Sequence, residues 1–317
     1  MTARFHTVAM AAILVAVAAP AGAQSPDPET IEFTKPAGGE RASGWTRPVM
    51  AAAAEDVLPS VDPEAVRAAG QGLRGNRPAG EPGSTAEKDL APAGGERMSG
   101  DVRDRPLYWA GKIFFRKPDG GYVCSGQFIS ENVVLTAAHC VRDSDTGEWY
   151  DDVVFALQYE NGKYAELYDT ECSATLAGWV SKDESKYNYD FATILVEGSS
   201  QTGYFGTAWN WEGQYADVTK IGYPVSIRDG QVIQIERGPI ELKDGIVALK
   251  HGNPKNQGGS SGGAWIGGFN DTPGSEEGNR VISLQSFHYD GLDGVGFGPY
   301  LTESFRKLWL FTENGCE

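Results

Sequence analysis

One serine in a glycine-rich stretch has the surroundings of an exposed nucleophile. Residues 258–265 read GGSSGGAW. Glycine adopts backbone angles that other residues resist, and it lets a substrate approach the main chain closely. Two backbone N–H groups around such a serine can converge on one point and stabilise a developing oxyanion. Taken alone, the stretch is equally typical of a flexible Gly/Ser loop, so its interpretation depends on the rest of the chain.

Two further segments supply the partners that a nucleophilic serine needs. His139 lies in TAAHC, residues 136–140, and Asp190 directly precedes the apolar run 191–196. A base must remove the serine proton, and histidine, with a pKa of about 6.5, suits that task near neutral pH. A carboxylate then fixes the imidazole tautomer and stabilises its charged form. We therefore predict Ser261 as nucleophile, His139 as base and Asp190 as the orienting residue.

These assignments have rivals. Ser260 could replace Ser261, but Ser261 is favoured because two glycines follow it directly. Asp169 and Asp183 compete with Asp190, yet only Asp190 comes immediately before a predicted strand. The histidine could instead belong to the core, although a motif surrounds it.

The N-terminus and the cysteines both indicate export. Residues 1–23 resemble a secretory signal peptide, with Arg4 at the start, an apolar run over residues 10–19 and small residues at 21–23. That run is too short to span a membrane. The four cysteines suit an oxidising compartment, and none forms a Cys-x-x-Cys pair, which argues against a zinc site. We expect a secreted protein, periplasmic or extracellular, with no cofactor and no metal.

The net charge of the chain limits the classes of partner that it can bind. The formal net charge is −16, which argues against nucleic acid as a partner. We expect protein or peptide substrates, no membrane and a monomer.

Composition divides the mature chain in two. Residues 24–105 are rich in Pro, Gly, Ala and charge, and predict a disordered leader or propeptide. This leader contains a duplicated motif, since PAGGERASG at 36–44 recurs as PAGGERMSG at 92–100. From about residue 106 to 317, short apolar strands alternate with Gly, Asn and Asp, which favours a sandwich or barrels. One good helix follows Thr302, which we expect to cap it.

The ordered set of motifs resembles the chymotrypsin/trypsin-like serine peptidases, over residues 106–317. CSGQFIS at 124–130 with VLTAAHC at 134–140 is similar to their histidine region, YDFATIL at 189–195 to their aspartate strand, and GSSGGA at 259–264 to their nucleophile loop. The His…Asp…Ser order matches this fold. The aspartate and serine segments read most like the bacterial branch that includes V8-type glutamyl endopeptidases.

The resemblance implies an all-β fold of two antiparallel six-stranded barrels, with the active site in the cleft between them and a C-terminal α-helix. Barrel one would cover about 106–200 and barrel two about 205–317. Gly259 and Ser261 would donate the oxyanion-hole N–H groups. Cys124 and Cys140 would form the histidine-loop disulfide, which leaves Cys172 and Cys316 to pair by elimination, although sequence alone does not fix connectivity.

Two departures concern activation and specificity. The residue before the nucleophile is Ser260, where trypsin-like enzymes have an aspartate that pairs with a freed N-terminal amine. At the expected pocket base stands Lys255, and His288 falls on its wall, with Ser286 and Gly298 completing a polar slot. We expect a preference for Glu or Asp before the scissile bond, and weigh it equally against Lys255 and His288 being solvated loop residues.

The main rival function is a catalytically inactive binding protein on the same fold. Such proteins usually lose a triad residue, and none is missing here. An exported structural protein with glycine-rich loops is disfavoured by the ordered triad.

Overall fold

The computed structural model describes residues 26–36, 44–55, 59–61, 83–84, 88–89, 100–253, 258–273, 275, 277–289 and 292–317. Strands dominate these residues. They are β1 (Ile31–Thr34), β2 (Ala54–Glu55), β3 (Ser60–Val61), β4 (Gly83–Ser84), β5 (Lys88–Asp89), β6 (Ala110–Lys117), β7 (Gly120–Phe128), β8 (Val133–Thr136), β9 (Asp151–Leu157), β10 (Glu166–Leu176), β11 (Ala192–Val196), β12 (Gly203–Tyr204), β13 (Gly206–Trp209), β14 (Asp217–Gly222), β15 (Gln234–Lys243), β16 (Ile246–Lys250), β17 (Ala264–Gly267), β18 (Arg280–Leu284), β19 (His288–Tyr289) and β20 (Val295–Pro299). The α-helices are α1 (Arg47–Ala52) and α2 (Glu303–Glu313). Within this part of the chain, no helix is both long and apolar enough to cross a membrane.

The first barrel is closed. Its strands follow the order β10-β11-β8-β7-β6-β9, and β9 pairs back onto β10. Every one of these pairings is antiparallel. Aromatic rings fill its interior, where Phe128 lies 5.2 Å from both Phe155 and Tyr168 between ring centres. Ring edges and faces packed in this way leave little void, so the strands that hold the site rest on a dense core.

The second barrel follows the order β20-β16-β15-β14-β17-β18, again with antiparallel neighbours. The hydroxyl of Ser283 on β18 donates to the carbonyl of Pro299 on β20 at 2.8 Å, which brings the two end strands side by side. The all-β, two-barrel fold class predicted from the sequence is therefore confirmed.

Helix α2 returns from barrel two to barrel one. Its Phe305 packs edge-on against Phe191, and the hydroxyl of Thr312 lies 2.6 Å from that of Thr193 on β11. Thr302 occupies the N-cap position as expected, but its side chain makes no capping hydrogen bond. The helix is thus held by its apolar face and by the Cys172–Cys316 disulfide.

The expectation of a disordered leader does not hold for the part of it that the structure describes. Strand β1 pairs with β10, β2 with β7 and β3 with β19. Trp45 and Met50 are buried. Composition misses these contacts because each strand pairs with a partner far along the chain. The signal peptide and most of the duplicated motif lie outside the described residues.

Candidate active site

Strand pairing puts His139 and Asp190 at the same end of barrel one. Strands β8 and β11 are antiparallel neighbours, with Thr136 opposite Ala192. His139 follows the end of β8, in the short 3₁₀ turn Ala138–Cys140, and Asp190 precedes the start of β11. Because one strand ends where the other begins, the two side chains meet.

Their contact is a double one. His139 Nδ1 lies 2.8 Å from Asp190 Oδ2, and the His139 backbone N–H donates to Oδ1 at 2.9 Å. The carboxylate is fully buried and also accepts from the Ser286 hydroxyl. Burial alone would raise the pKa of Asp190, but attraction to His139 and these hydrogen bonds hold that pKa below its usual value. The carboxylate therefore stays charged and fixes the ring.

The serine loop, residues 258–263, packs against this corner through a glycine. Gly262 has φ +78°, and a Cβ there would lie 2.2 Å from Thr136 Oγ1 and 2.5 Å from the Ser125 carbonyl. Only glycine fits such an approach. Gly262 thus packs against Thr136 at the end of β8, three residues before His139, and Ser261 is the residue next to Gly262. Its hydroxyl is buried and has no hydrogen bond within the described residues.

The backbone around Gly259 is fixed on both sides. Val225 N–H donates to the Gly258 carbonyl at 2.8 Å. In a trans peptide the C=O and the next N–H point in opposite directions, so the Gly259 N–H points away from Val225. The Gly259 carbonyl accepts from the Ser125 hydroxyl at 2.9 Å, and that hydroxyl accepts from Tyr223 N–H at 2.9 Å.

Sequence reasoning did not single out Ser125. Its N–H also donates to the Ser261 carbonyl at 2.7 Å, so one residue of barrel one contacts both predicted oxyanion positions. Its place in the CSG motif, directly after Cys124, was the available signal.

The structure describes three of the four predicted pocket residues. The Ser286 hydroxyl donates to Asp190. A Cβ on Gly298 would lie 2.0 Å from the Leu284 carbonyl, so this glycine allows β20 to pack on β18. His288 is half-buried, with its N–H donating to the Pro59 carbonyl at 3.0 Å. Lys255 lies outside the described residues.

A buried lysine behind the serine loop was also missed. Lys112 on β6 donates from Nζ to the Gly230 carbonyl at 2.9 Å and faces the rings of Phe114, Tyr159 and Tyr223. Burial lowers its pKa to about 7. Gly230 and Tyr223 belong to the segment that carries Val225. A lone lysine in the apolar run AGKIFF was the signal.

The cysteines form the two expected pairs, Cys124–Cys140 and Cys172–Cys316. The first ties the residue beside His139 to β7. Cys124, His139 and Cys140 are also near enough to suggest a metal cluster. They do not make one, because metal-binding thiolates are consumed by the disulfide and His139 Nδ1 is bound to Asp190.

Two barrels, with a His–Asp pair on one and a serine in a glycine-rich loop on the other, are the architecture of a serine protease. The trypsin family model matches residues 99–258, half of the chain. The chain belongs to the trypsin family. The match ends just before Ser260 and Ser261.

Solved structures share the fold. A thermostable serine protease from an extremophilic microorganism is 24% identical, with a TM-score of 0.54, covering 66% of this chain and 98% of its own. Protease Anisep from Arthrobacter nicotinovorans is 20% identical, with a TM-score of 0.55, covering 74% and 100%. A Glu endopeptidase is 15% identical, with a TM-score of 0.54, covering 72% and 97%.

One curated protein also matches, an extracellular metalloprotease of Bacillus subtilis (strain 168), 30% identical over 88 residues. The match covers 27% of this chain and 27% of that protein. The chain thus spans about a quarter of the length of the curated relative it matches.

Proposed function

We propose that the chain is a secreted serine endopeptidase that cleaves peptide bonds through an acyl-enzyme, with Ser261, His139 and Asp190 as its triad. The observation that carries this proposal is the buried Asp190 carboxylate, which binds His139 at both Nδ1 and the backbone N–H. A carboxylate on Nδ1 keeps the proton there and presents Nε2 as the base. Gly262 packs the serine loop onto the same corner.

The reaction follows from this arrangement. His139 Nε2 takes the proton of the Ser261 hydroxyl as its oxygen attacks the substrate carbonyl carbon. The tetrahedral oxyanion accepts hydrogen bonds from the N–H groups of Gly259 and Ser261. The imidazolium, stabilised by Asp190, then gives its proton to the leaving amine and the acyl-enzyme forms. Water, deprotonated by His139, releases the acid and restores the serine.

The oxyanion turn, residues 258–261, lacks the aspartate that pairs with a new N-terminus when trypsin-like enzymes are activated. Ser260 occupies that position and is buried. The Ser125 hydroxyl and the Val225 N–H instead hold the carbonyls of Gly259 and Gly258. We infer that the turn forms without an ion pair to a new N-terminus.

The proposed substrate class has an acidic residue before the scissile bond. Its support is His288 on β19, two residues beyond the Ser286 that donates to Asp190, and the absence of a carboxylate from the predicted pocket positions. A charged group entering a desolvated pocket must be paired, so a basic side chain would need a carboxylate there. Matched peptides with Glu, Gln or Lys at this position test it. Faster cleavage of Lys than of Glu would contradict the preference.

The activity itself is tested with the two adjacent serines. Ser261→Ala should lower kcat by about 10⁶-fold and abolish labelling by a fluorophosphonate probe, because the nucleophile is deleted. Ser260→Ala is the matched control and should retain labelling. Reversed results would place the nucleophile one residue earlier, and a chain that stays unlabelled both with its leader in place and with its leader displaced would favour the inactive binding protein.

A further inference from the structure

The leader pairs with the folded chain at two strand edges near the triad. Ala54 and Glu55 of β2 lie opposite Tyr122 and Val123 of β7. Ser60 and Val61 of β3 pair with His288 and Tyr289 of β19. Both pairings are parallel, so the leader runs in one sense along two edges that belong to different barrels.

These two edges flank the His139–Asp190 pair. Val123 is next to Cys124, whose disulfide partner Cys140 directly follows His139. On the other side, His288 follows Ser286 by two residues, and the Ser286 hydroxyl donates to Asp190. One leader strand thus lies on the histidine side of the site and the other on the aspartate side.

Chain length brings the two contacts close together. Glu55 and Pro59 are four residues apart, and a chain extends by at most about 3.6 Å per residue. Glu55 and Pro59 therefore lie within about 14 Å of each other, and the edges of β7 and β19 that pair with the leader lie within about 24 Å. The two described leader strands therefore contact different barrels within that distance.

The contact on β19 uses groups that an extended peptide would need. His288 N–H donates to the Pro59 carbonyl at 3.0 Å. Val61 is 5% exposed and joins the hydrophobic core, whereas Ser60, which lies between Pro59 and Val61, is exposed. A strand edge offers N–H and C=O groups to any added strand, so two strands cannot occupy it together.

We propose that the edges of β7 and β19 form one docking surface for an extended peptide, and that the chain's own leader strands β2 and β3 occupy it and exclude substrate. This inference rests on the proposed endopeptidase function. The leader acts as an intramolecular competitor, and its displacement or removal opens the cleft to extended peptides.

The structural test needs no activity. In the full chain carrying Ser261→Ala, which prevents self-digestion, backbone hydrogen exchange at His288 is measured with and without Val61→Pro. Proline deletes a strand N–H and the buried side chain. We expect exchange at His288 to accelerate at least about tenfold. Ser60→Ala, at the exposed neighbouring position, is the matched control and should not change it.

The functional test uses the same pair of variants with Ser261 intact. Val61→Pro should raise kcat/KM for an eight-residue peptide by at least about tenfold, with Ser60→Ala unchanged. A synthetic peptide of residues 52–62, added to Val61→Pro, should compete with the substrate and restore inhibition. Recovery by this peptide also shows that the variant is folded.

The outcomes separate the two proposals. If the fluorophosphonate probe labels neither the parent nor Val61→Pro, the endopeptidase function fails, while His288 exchange still decides whether the leader docks. If the probe labels Ser261 but Val61→Pro cleaves the peptide no faster than the parent, leader occlusion is overturned. Rapid His288 exchange in the parent would overturn it as well.

Discussion

The two sides of the site are held by different kinds of contact. His139 and Asp190, on barrel one, are joined through a side-chain carboxylate that accepts from a ring, a backbone N–H and a hydroxyl. The serine loop, on barrel two, depends on main-chain geometry, with Gly259 and Gly262 at positive φ and carbonyls bound from neighbouring segments. The His139–Asp190 pair should therefore be sensitive to a change in side-chain chemistry. The serine loop should be sensitive to the addition of any side chain at its glycines.

The largest effect is expected from changing the carboxylate. Asp190→Asn keeps the shape but offers an N–H where His139 needs an acceptor, which favours the wrong imidazole tautomer. We expect kcat to fall by about 10⁴-fold with the fold intact. Steady-state kinetics and circular dichroism measure both. Retention of more than a tenth of the parent kcat would contradict the assignment of Asp190 over Asp169 and Asp183.

In the serine loop, adding a single carbon atom should destabilise the protein and reduce its activity. Gly262→Ala forces a Cβ to within 2.2 Å of Thr136 Oγ1 at φ +78°. We expect a loss of about 3 kcal/mol in the free energy of unfolding, together with reduced activity. Gly120→Ala is the control, since nothing lies within 4 Å of its added Cβ. Equal urea midpoints for the two variants would show that the loop tolerates a side chain.

The buried lysine behind the serine loop predicts a pH effect on stability. The pKa of Lys112 is lowered to about 7 in the folded protein. Above that pH the unfolded chain binds one more proton, so stability rises with pH relative to Lys112→Met, by about 1.4 kcal/mol per pH unit. Between pH 7, where the native lysine is half protonated, and pH 9 the gain is about 2.3 kcal/mol. Urea unfolding of both proteins at three pH values measures it; parallel curves would contradict the lowered pKa.

The smallest effect should come from the hydroxyl that links the two sides. Ser125→Ala removes the bridge between Tyr223 N–H and the Gly259 carbonyl. A hydrogen bond of about 1.4 kcal/mol corresponds to about tenfold in kcat, with KM unchanged because the oxyanion forms only during reaction. Ser130→Ala is the control, since its buried hydroxyl has no hydrogen bond within the described residues. An unchanged kcat for Ser125→Ala would remove Ser125 from the positioning of the oxyanion turn.

The same contrast explains how far the sequence could predict this molecule. The strand-rich fold and the segments around His139, Asp190 and Ser261 are encoded in local motifs, so they are legible in one sequence. The contacts of Ser125 and of the leader are not, because Ser125 and Gly259 are 134 residues apart and nothing local marks them as partners. Ser286 also shows what sequence cannot predict. Its position near the site was predicted, but its contact with Asp190 depends on the side-chain rotamer.

The Cys172–Cys316 disulfide has a mechanical consequence. It joins two residues 144 positions apart and closes a loop that contains all of barrel two. Force applied to the two ends of the chain would pass through this bond and bypass the loop. Under oxidising conditions, pulling can therefore extend only the residues outside it, and barrel two becomes extensible only after the bond is reduced.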